Sequence, residues 1–421
     1  MRISQWGLLF AFLLPALRAP ADESTALSVL ADGWPAISAT ASGNSYDVYV
    51  ADQLTYDDNL YRLPSSITDI AALTGRSDSA REDHINSLSL GVDGLWLLGT
   101  QAVNVNLRAD DNRYVRNDAL NNISAKDSAV WDWRLWERLS GQVGVDYYSA
   151  IASFANTTFY ARDLVDKMQY FSNARYQFGP RWSIFGGVLD ADTSHSALAA
   201  QLNDYHSKSG DVGIECVSAS DNKLVWEYRY TDGLYPHESV FNGAPFNPDY
   251  NEDTARLLLK YAFTDETIIE AAAGYLKRFY PYARIGAFSG DIWRVSLQWQ
   301  PKETLQFVLA GWHELTAYLD SESNYFVSKG GSVSPTWLIS DTLTLSLAIS
   351  SANQDYIGSS ASELTFVSRR DRVAAEQAHL TYAPAEALTF DITYRHEQRH
   401  SNLAQFQYDD KLASAGITFK F

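Results

Sequence analysis

Adjacent acidic and basic residues are the candidates for acid–base catalysis in this 421-residue chain, and they are few. His313–Glu314 and His396–Glu397 are adjacent histidine–glutamate pairs. Neighbouring residues of a strand face opposite sides, so neither pair can converge on one substrate if these segments are strands. The sequence has no GxSxG element, no phosphate-binding loop and no metal-type spacing of histidine and cysteine. We therefore expect no enzymatic activity, no catalytic residues, no metal and no cofactor.

Charged residues that alternate with apolar ones are the stronger chemical signal. The segments KLVWEYRYTD (223–232), DIWRVSLQWQ (291–300) and ALTFDITYRHE (387–397) all show this alternation. A period of two is typical of a strand with one apolar and one polar face. We find no comparable helical period after residue 21. The elements that position the charged residues are therefore predicted to be strands.

Short turns alternate with longer polar segments along the chain. Eight short turns, among them LLGTQ (97–101) and QPKET (300–304), separate paired strands, and polar segments such as 63–83, 233–250 and 358–367 lie between the pairs. Outer-membrane barrels have this asymmetry of short periplasmic turns and long extracellular loops. With further strands at 46–62 and 406–421, the pattern predicts an all-β, antiparallel up-and-down transmembrane barrel of about 18 strands (16–20) over residues 46–421. The alternative, a soluble β-sandwich or β-helix, would need several cores or a solenoid repeat.

The polar face of each strand would then point into the lumen of the barrel. A barrel of about 18 strands is wide enough for an aqueous channel. Charges of both signs on that face would hydrate the lumen or brace one another across strands. Trp136 has the same phase and is the aromatic residue predicted to contact a translocating chain. The predicted lumen-facing residues are Asp93, Arg108, Asp132, Arg134, Trp136, Asp146, Arg175, Glu215, Glu227, Arg229, Arg256, Lys260, Glu270, Arg294, Asp391 and Arg395.

The N-terminus predicts where the chain goes. MRISQWGLLFAFLLPALRAPA has the basic, apolar and small-residue order of a secretory signal peptide over residues 1–21. Residues 22–45 are predicted to be a flexible periplasmic lead-in. Cys216 is the sole cysteine, so no intrachain disulfide can form. The formal charge of −18 argues against a nucleic-acid partner. A secreted, acidic chain with 25 Tyr, 19 Phe and 12 Trp fits the outer membrane of a Gram-negative bacterium, in contact with its lipid.

The C-terminus, LASAGITFKF, alternates in the same way up to its last residue. Ile417, Phe419 and Phe421 would lie on the lipid face, with polar or small residues between them. A terminal phenylalanine with apolar residues two and four positions earlier resembles the signal read by the barrel assembly machinery. We therefore predict that machinery as a partner.

Several segments together resemble a known family. They are YDVYVADQLTYDDNLYRLP (46–64), WLLGTQAVNVNLRADDNRY (96–114), AVWDWRLWERLSGQVGVDY (129–147) and SFANT (153–157). Their order and spacing resemble the EpsL family, outer-membrane barrels encoded with exopolysaccharide operons and often found beside exosortase/PEP-CTERM systems. The likeness covers residues 46–155 and returns at the last strand. It implies an outer-membrane barrel that takes part in making or exporting an extracellular polysaccharide, and it supplies no catalytic residues.

These observations predict a passive terminal channel for an exopolysaccharide, with that polymer and periplasmic export proteins as partners. Three alternatives stay open. The barrel could be a general or small-solute porin, a structural anchor whose loops bind polymer outside the cell, or a barrel-embedded enzyme acting on lipid or polysaccharide.

Overall fold

The computed structural model describes residues 43–157, 159–237, 239–241, 244–282, 287–317, 325–357 and 368–421. The predicted signal peptide (1–21), most of the predicted lead-in (22–45) and the polar segment 358–367 lie outside the described residues. Among the described residues, no helix has the length and apolar character needed to cross a membrane.

Eighteen antiparallel strands form one sheet in the described part of the chain. A small hairpin of two further strands and a one-turn helix lie in the loops. The strands are β1 (Ser45–Asp57), β2 (Asp83–Leu98), β3 (Gln101–Tyr114), β4 (Asn122–Trp136), β5 (Leu139–Ile151), β6 (Leu164–Gln177), β7 (Trp182–His195), β8 (Tyr205–Val217), β9 (Lys223–Leu234), the hairpin β10 (Ser239–Phe241) and β11 (Ala244–Phe246), β12 (Tyr250–Thr264), β13 (Thr267–Phe279), β14 (Phe288–Lys302), β15 (Leu305–Ala317), β16 (Tyr325–Ser340), β17 (Leu343–Ile357), β18 (Arg370–Ala385), β19 (Leu388–Ser401) and β20 (Tyr408–Lys420), and the helix is α1 (Ile70–Thr74).

The sheet closes because β1 pairs with both β2 and β20. Val50 lies opposite Phe419, and the Phe421 N–H donates to the Val48 carbonyl at 2.8 Å. A spanning sheet has to close, since an open edge in hydrocarbon would leave backbone groups without hydrogen bonds. The predicted up-and-down barrel of about 18 strands is therefore confirmed, and the chain can end on an aromatic residue because that end is paired.

The first strand is shorter than the predicted 46–62 and ends at Asp57. Asn59 closes the chain into a turn, since its side chain accepts from the Leu63 N–H and donates to the Leu63 carbonyl. Arg62 adopts a left-handed φ of 54°, which ends the extended conformation. Asparagine and aspartate favour such turns because their side chains bond to nearby backbone.

The two faces of the sheet differ in the way the sequence pattern predicts. Apolar side chains such as Leu90 and Ile392 are more than half exposed, which marks the outer face. At the alternating positions, Glu227 is 1 % exposed and Arg256 is 2 % exposed. Charged side chains this well buried belong on the inner face of a barrel, where they can pair across strands.

Two apolar cores lie at the long-loop end of the barrel, one formed mainly by loops and the other mainly by strand residues. The first, called here the first-loop core, joins segments 58–82, 115–121 and 152–163 through Leu60, Tyr61, Leu63, Ile70, Leu120 and Phe154. The second joins β8, β12, β13, β14, β15 and β16. Its members are Tyr205, Tyr250, Leu276, Ile292, Leu315, Tyr325 and Val327, together with Tyr280, which directly follows β13. Both cores fix the mouth of the barrel, because loops without buried apolar contacts would stay mobile.

Candidate functional site: the lumen and its mouth

The pairing register gives the side of the sheet on which each predicted lumen residue lies. Two residues that lie opposite each other on neighbouring strands point to the same side of the sheet. Following these pairs from strand to strand around the barrel shows which residues lie on the same face as the buried pair Glu227–Arg256. The residues on that same inner face are Asp93, Arg108, Asp132, Arg134, Asp146, Arg175, Glu215, Glu227, Arg229, Arg256, Lys260, Glu270, Arg294, Asp391 and Arg395.

Trp136 is the exception, and the prediction that it faces the lumen is wrong. The β4–β5 register shifts between Arg134 and Trp136, so that Trp136 lies opposite Leu139, which in turn lies opposite Tyr176. These three side chains line a shallow pocket on the outer face, and Trp136 is 71 % exposed. The extra residue of a β-bulge reverses the alternation beyond it, so counting by twos from Trp131 gives the wrong face.

Several of the inner charges are buried and paired with one another. Arg256 Nη2 donates to both carboxylate oxygens of Glu227, at 2.9 and 3.2 Å, and Arg229 Nε lies 3.4 Å from the same carboxylate. Glu215 lies 3.1 Å from Arg175 Nη1 and 3.0 Å from Lys223 Nζ. Charges this deep are tolerated only when they are paired and hydrogen-bonded. These residues therefore brace β6, β8, β9 and β12 against one another.

Other inner charges are open to solvent and are the ones a passing solute would contact. The side chains of Lys260 and Glu270 are 54 % and 57 % exposed although Nζ lies 3.5 Å from Oε1. Arg108 is also exposed, and its Nε donates to Asp110 Oδ1 at 2.7 Å. Both signs of charge thus line the space inside the barrel, which favours hydration over selection for one sign.

Aromatic rings lie flat over glycines on the inner wall. Tyr49 pairs with Gly91, Phe171 with Gly144, Phe185 with Gly213 and Trp312 with Gly330. In each pair a Cβ on the glycine would come within 2.1 to 2.5 Å of the ring, so the ring occupies the place of the missing side chain. Rings packed in this way present a face to the lumen, and those of Tyr49, Phe171 and Trp312 are partly exposed. Sequence reasoning missed them, although a glycine opposite an inward aromatic residue is a readable signal once the register is known.

This packing makes a prediction about Gly330. Gly330→Ala should lower the free energy of unfolding by about 1–3 kcal/mol, because the new Cβ overlaps the Trp312 ring and the Ser351 carbonyl oxygen. Urea unfolding of the detergent-solubilised barrel, followed by tryptophan fluorescence, measures the loss. Gly210→Ala is the matched control, since its nearest neighbour would lie 3.9 Å away. Equal effects in the two variants would contradict the packing argument.

Within segment 152–163, which joins β5 to β6, Ala155 and Asn156 reach across the inside of the barrel. Arg399 Nη1 donates to Asn156 Oδ1 and to the Ala155 carbonyl, both at 2.6 Å, and Arg369 Nη2 donates to Asn156 Oδ1 at 3.0 Å. Arg399 belongs to β19 and Arg369 immediately precedes β18. Five strands separate β5 from β19 around the sheet, so the contact spans the interior instead of joining neighbours.

The two arginines are held rigidly before they meet the segment. Arg369 Nε donates to Asp371 Oδ2 at 2.9 Å, and the Arg369 guanidinium stacks 3.6 Å from the Phe406 ring centroid and 4.0 Å from that of Tyr356. Arg399 lies over the ring of Tyr408 at 4.9 Å. Both arginines are 2 to 3 % exposed. A guanidinium group that is already stacked on aromatic rings and paired with a carboxylate has little conformational freedom left. Arg369 and Arg399 therefore lose little side-chain entropy when they donate to Asn156.

The other side of the same segment is anchored in the first-loop core. Phe154 packs on Tyr61 with ring centroids 4.9 Å apart. The segment is therefore held in two places. Phe154 packs in the first-loop core, and Asn156 binds the arginines at β18 and β19. We call these two contacts the loop clamp. Together they hold residues 154–156 across the inside of the barrel.

The neighbouring segment 58–82 is tied to the barrel by charge. Arg62 Nη1 lies 3.0 Å from Asp57 Oδ2 and 2.7 Å from Asp410 Oδ1. Burial lowers the pKa of Arg62, but the carboxylates of Asp57 and Asp410 outweigh it and raise that pKa above its ordinary value. Burial raises the pKa of Tyr61, whose hydroxyl donates to Asn117 Oδ1 at 3.0 Å. Arg62 thus stays charged and Tyr61 stays neutral at physiological pH.

The two histidine–glutamate pairs are split between the faces of their strands. Glu314 accepts from Arg294 Nε and Nη2 at 2.7 and 2.6 Å on the inner face, whereas His313 Nδ1 lies 3.3 Å from Asp291 on the other face. Likewise, Glu397 accepts from the Tyr408 hydroxyl at 2.5 Å while His396 lies 3.2 Å from Asp409. Neither pair forms a catalytic dyad.

Comparisons with known proteins find one family model and several solved structures that are similar to this chain. Residues 261–421 match the model of the family described as "Putative beta-barrel porin 2". No curated protein matches the chain. Among solved structures, the chain is similar to a BenF-like porin from Pseudomonas fluorescens Pf-5, with 10 % identity over 90 % of this chain and 99 % of that one at a TM-score of 0.49.

Two further solved structures resemble the chain to the same degree. OccAB3 of Acinetobacter baumannii is 11 % identical over 90 % of this chain and 100 % of its own, with a TM-score of 0.48. The outer membrane protein opdK of Pseudomonas aeruginosa is 11 % identical over 90 % and 98 %, with a TM-score of 0.49. The barrel fold itself rests on the strand pairing described above.

Proposed function

We propose that this protein is an outer-membrane channel through which an extracellular polysaccharide leaves a Gram-negative cell. The observation that carries the proposal is the inner wall. It combines hydrated charges of both signs with aromatic rings laid flat over glycines. A sugar ring has polar hydroxyls and an apolar C–H face, so such a wall offers weak contacts to both without a single tight site. The resemblance over residues 46–155 supports the polymer as cargo.

The mechanism would be passive. Conduction requires contacts that are favourable enough for entry but weak enough for release, and rings and charges spread along the wall satisfy both needs. Synthesis on the inner side would push the chain outward. The loop clamp would restrict the mouth so that other solutes do not pass freely.

A small-solute porin is the second candidate. The match of residues 261–421 to a porin family model favours it, and so does the loop clamp, which places residues inside the barrel. Such a porin would carry current steadily and would not respond to a polymer.

Current through the purified barrel in planar bilayers separates the two functions. Under the export proposal, the polymer of the host should interrupt the current in long events, whereas neutral dextran of matched length should do so less. Trp312→Leu should shorten these events, because the ring faces the lumen. Trp226→Leu, a matched change on the outer face, should leave them unchanged. A current that ignores the host polymer would favour the small-solute porin.

The C-terminal aromatic residue makes a prediction about assembly in the outer membrane. Phe421→Ala keeps the backbone N–H that donates to Val48 and removes only the ring. If the assembly machinery reads that ring, the amount of folded barrel in the outer membrane should fall about ten-fold, with unfolded protein in the periplasm. Heat-modifiable migration of outer-membrane fractions measures the folded amount. Phe263→Ala, a change at another exposed ring near the short turns, is the control. Normal assembly of Phe421→Ala would contradict the prediction.

A further inference from the structure

Three carboxylates meet where the last strand begins and the first strand ends. Asp57 and Asp58 follow one another at the end of β1, and Asp410 lies near the start of β20. One oxygen of each carboxylate lies within 4.8 Å of the others. Asp57 is 3 % exposed and Asp410 is fully buried. We call these three residues the seam carboxylates.

Their negative charge is only partly compensated. Arg62 Nη1 pairs with Asp57 and Asp410. The Arg81 guanidinium also acts on Asp58. Three carboxylates against these two guanidiniums leave a formal charge of −1. Asp410 Oδ2 is buried and has no hydrogen-bond partner among the described residues. A buried carboxylate oxygen without a partner is costly, so something outside the described contacts is needed to satisfy it.

The carboxylates are also held in place by backbone donors. The Lys411 N–H donates to Asp58 Oδ1 at 2.7 Å, and the Asn59 N–H donates to Asp57 Oδ1 at 2.9 Å. These bonds fix two of the three groups independently of any ion. A site whose ligands are already positioned binds an ion with a smaller entropic cost.

We propose that the seam carboxylates bind a divalent cation, with Ca²⁺ as the preferred ion. Carboxylate oxygens are the ligands of hard cations, and Ca²⁺ accepts irregular sets of them together with water, whereas Mg²⁺ demands a regular octahedron. The ion would satisfy Asp410 Oδ2 and offset the remaining negative charge of the three carboxylates. It would link β1 to β20 and hold segment 58–82 at the long-loop end of the barrel, where these two strands pair. A proton on Asp410 is the other way to satisfy this oxygen.

Calcium titration of the full-length barrel decides between the ion and the proton. The barrel is refolded in detergent free of lipopolysaccharide and of metal, and Ca²⁺ alone is titrated by calorimetry. We expect saturable binding with a Kd of about 10⁻⁴–10⁻³ M, the range of extracellular calcium modules. The melting midpoint should rise with Ca²⁺ and fall again with EDTA.

Two variants assign the binding to the seam. Asp58→Asn keeps the oxygen that accepts from Lys411 and should weaken Ca²⁺ binding by about ten-fold or more. Asp78→Asn makes the same charge change at an exposed position of the same loop and should bind as the unaltered protein does. Asp190, Asp192 and His206 offer a second cluster of oxygen and nitrogen ligands. The number of Ca²⁺ ions bound per barrel therefore does not identify the site, and the comparison between the two variants does. Absence of saturable binding, or equal weakening in both variants, would overturn the proposal.

Discussion

Releasing the loop clamp should raise the single-channel conductance of the barrel by about two-fold or more, because residues held across the lumen obstruct the path of ions. The variant that tests this combines Phe154→Ala with Asn156→Ala. It removes the ring that packs on Tyr61 and the amide oxygen that accepts from Arg369 and Arg399. With neither anchor, segment 152–163 no longer has to cross the lumen. Current recorded in planar bilayers measures the change.

The barrel itself should survive this double substitution. Arg369 keeps its bond to Asp371, and Arg399 Nε stays 3.7 Å from the same carboxylate, so no arginine loses its buried charge partner. Loss of the Phe154 ring costs about 3–5 kcal/mol at the mouth, where local opening does not break the strand ladder.

Asn222→Ala is the matched control for the clamp. Asn222 Oδ1 accepts from the Ala262 N–H at 2.7 Å, at the opposite end of the barrel. Its removal should leave the conductance unchanged. An unchanged conductance in the clamp variant as well would show that segment 152–163 does not restrict the pathway.

Breaking the buried pair Glu227–Arg256 should destabilise the strand ladder of the barrel itself. Arg256→Ala leaves Glu227, which is 1 % exposed, without its two-bond partner. Removing one partner of a buried ion pair costs about 3–5 kcal/mol, since the remaining charge stays desolvated. Urea unfolding of the solubilised barrel measures the loss.

Two further variants separate the charge effect from simple packing. Glu227→Gln combined with Arg256→Met removes both charges of the pair and should recover much of the stability. Arg229, which lies 3.4 Å from Glu227, still has the carboxylate of Asp211 opposite it on β8. Lys260→Ala breaks a pair of similar separation whose side chains are exposed and should cost less than about 1 kcal/mol. A small loss in Arg256→Ala, comparable to that in Lys260→Ala, would contradict the bracing role assigned to the buried pair.

The period-two alternation of apolar and polar residues was sufficient to predict the barrel and the face of most charged residues. The outer and inner faces of a barrel impose opposite demands on neighbouring residues, so the pattern survives in the sequence. Trp136 shows where this reasoning ends. The bulge beside Leu135 adds one residue, and a single extra residue exchanges the two faces.

The loop clamp could not be predicted in the same way. The segment SFANT stood out in the sequence only as part of a resemblance, and its partners Arg369 and Arg399 lie more than 200 positions away. Arg399 has the inward phase of Arg395 and Glu397, so its face was readable. Its contact with Asn156 could not be predicted, because a contact across the lumen depends on how a loop folds and not on the alternation along a strand. The rings over glycines likewise needed the register between strands.

The central claim is that a polysaccharide passes through this barrel, and deletion of its gene in the host tests that claim most directly. Polymer on the cell surface and polymer in the periplasm should be quantified separately, with the gene restored as the control. The export proposal predicts polymer trapped in the periplasm, or synthesis halted with the synthetic machinery intact, and recovery on restoration. Normal polymer at the surface of the deletion strain would contradict it.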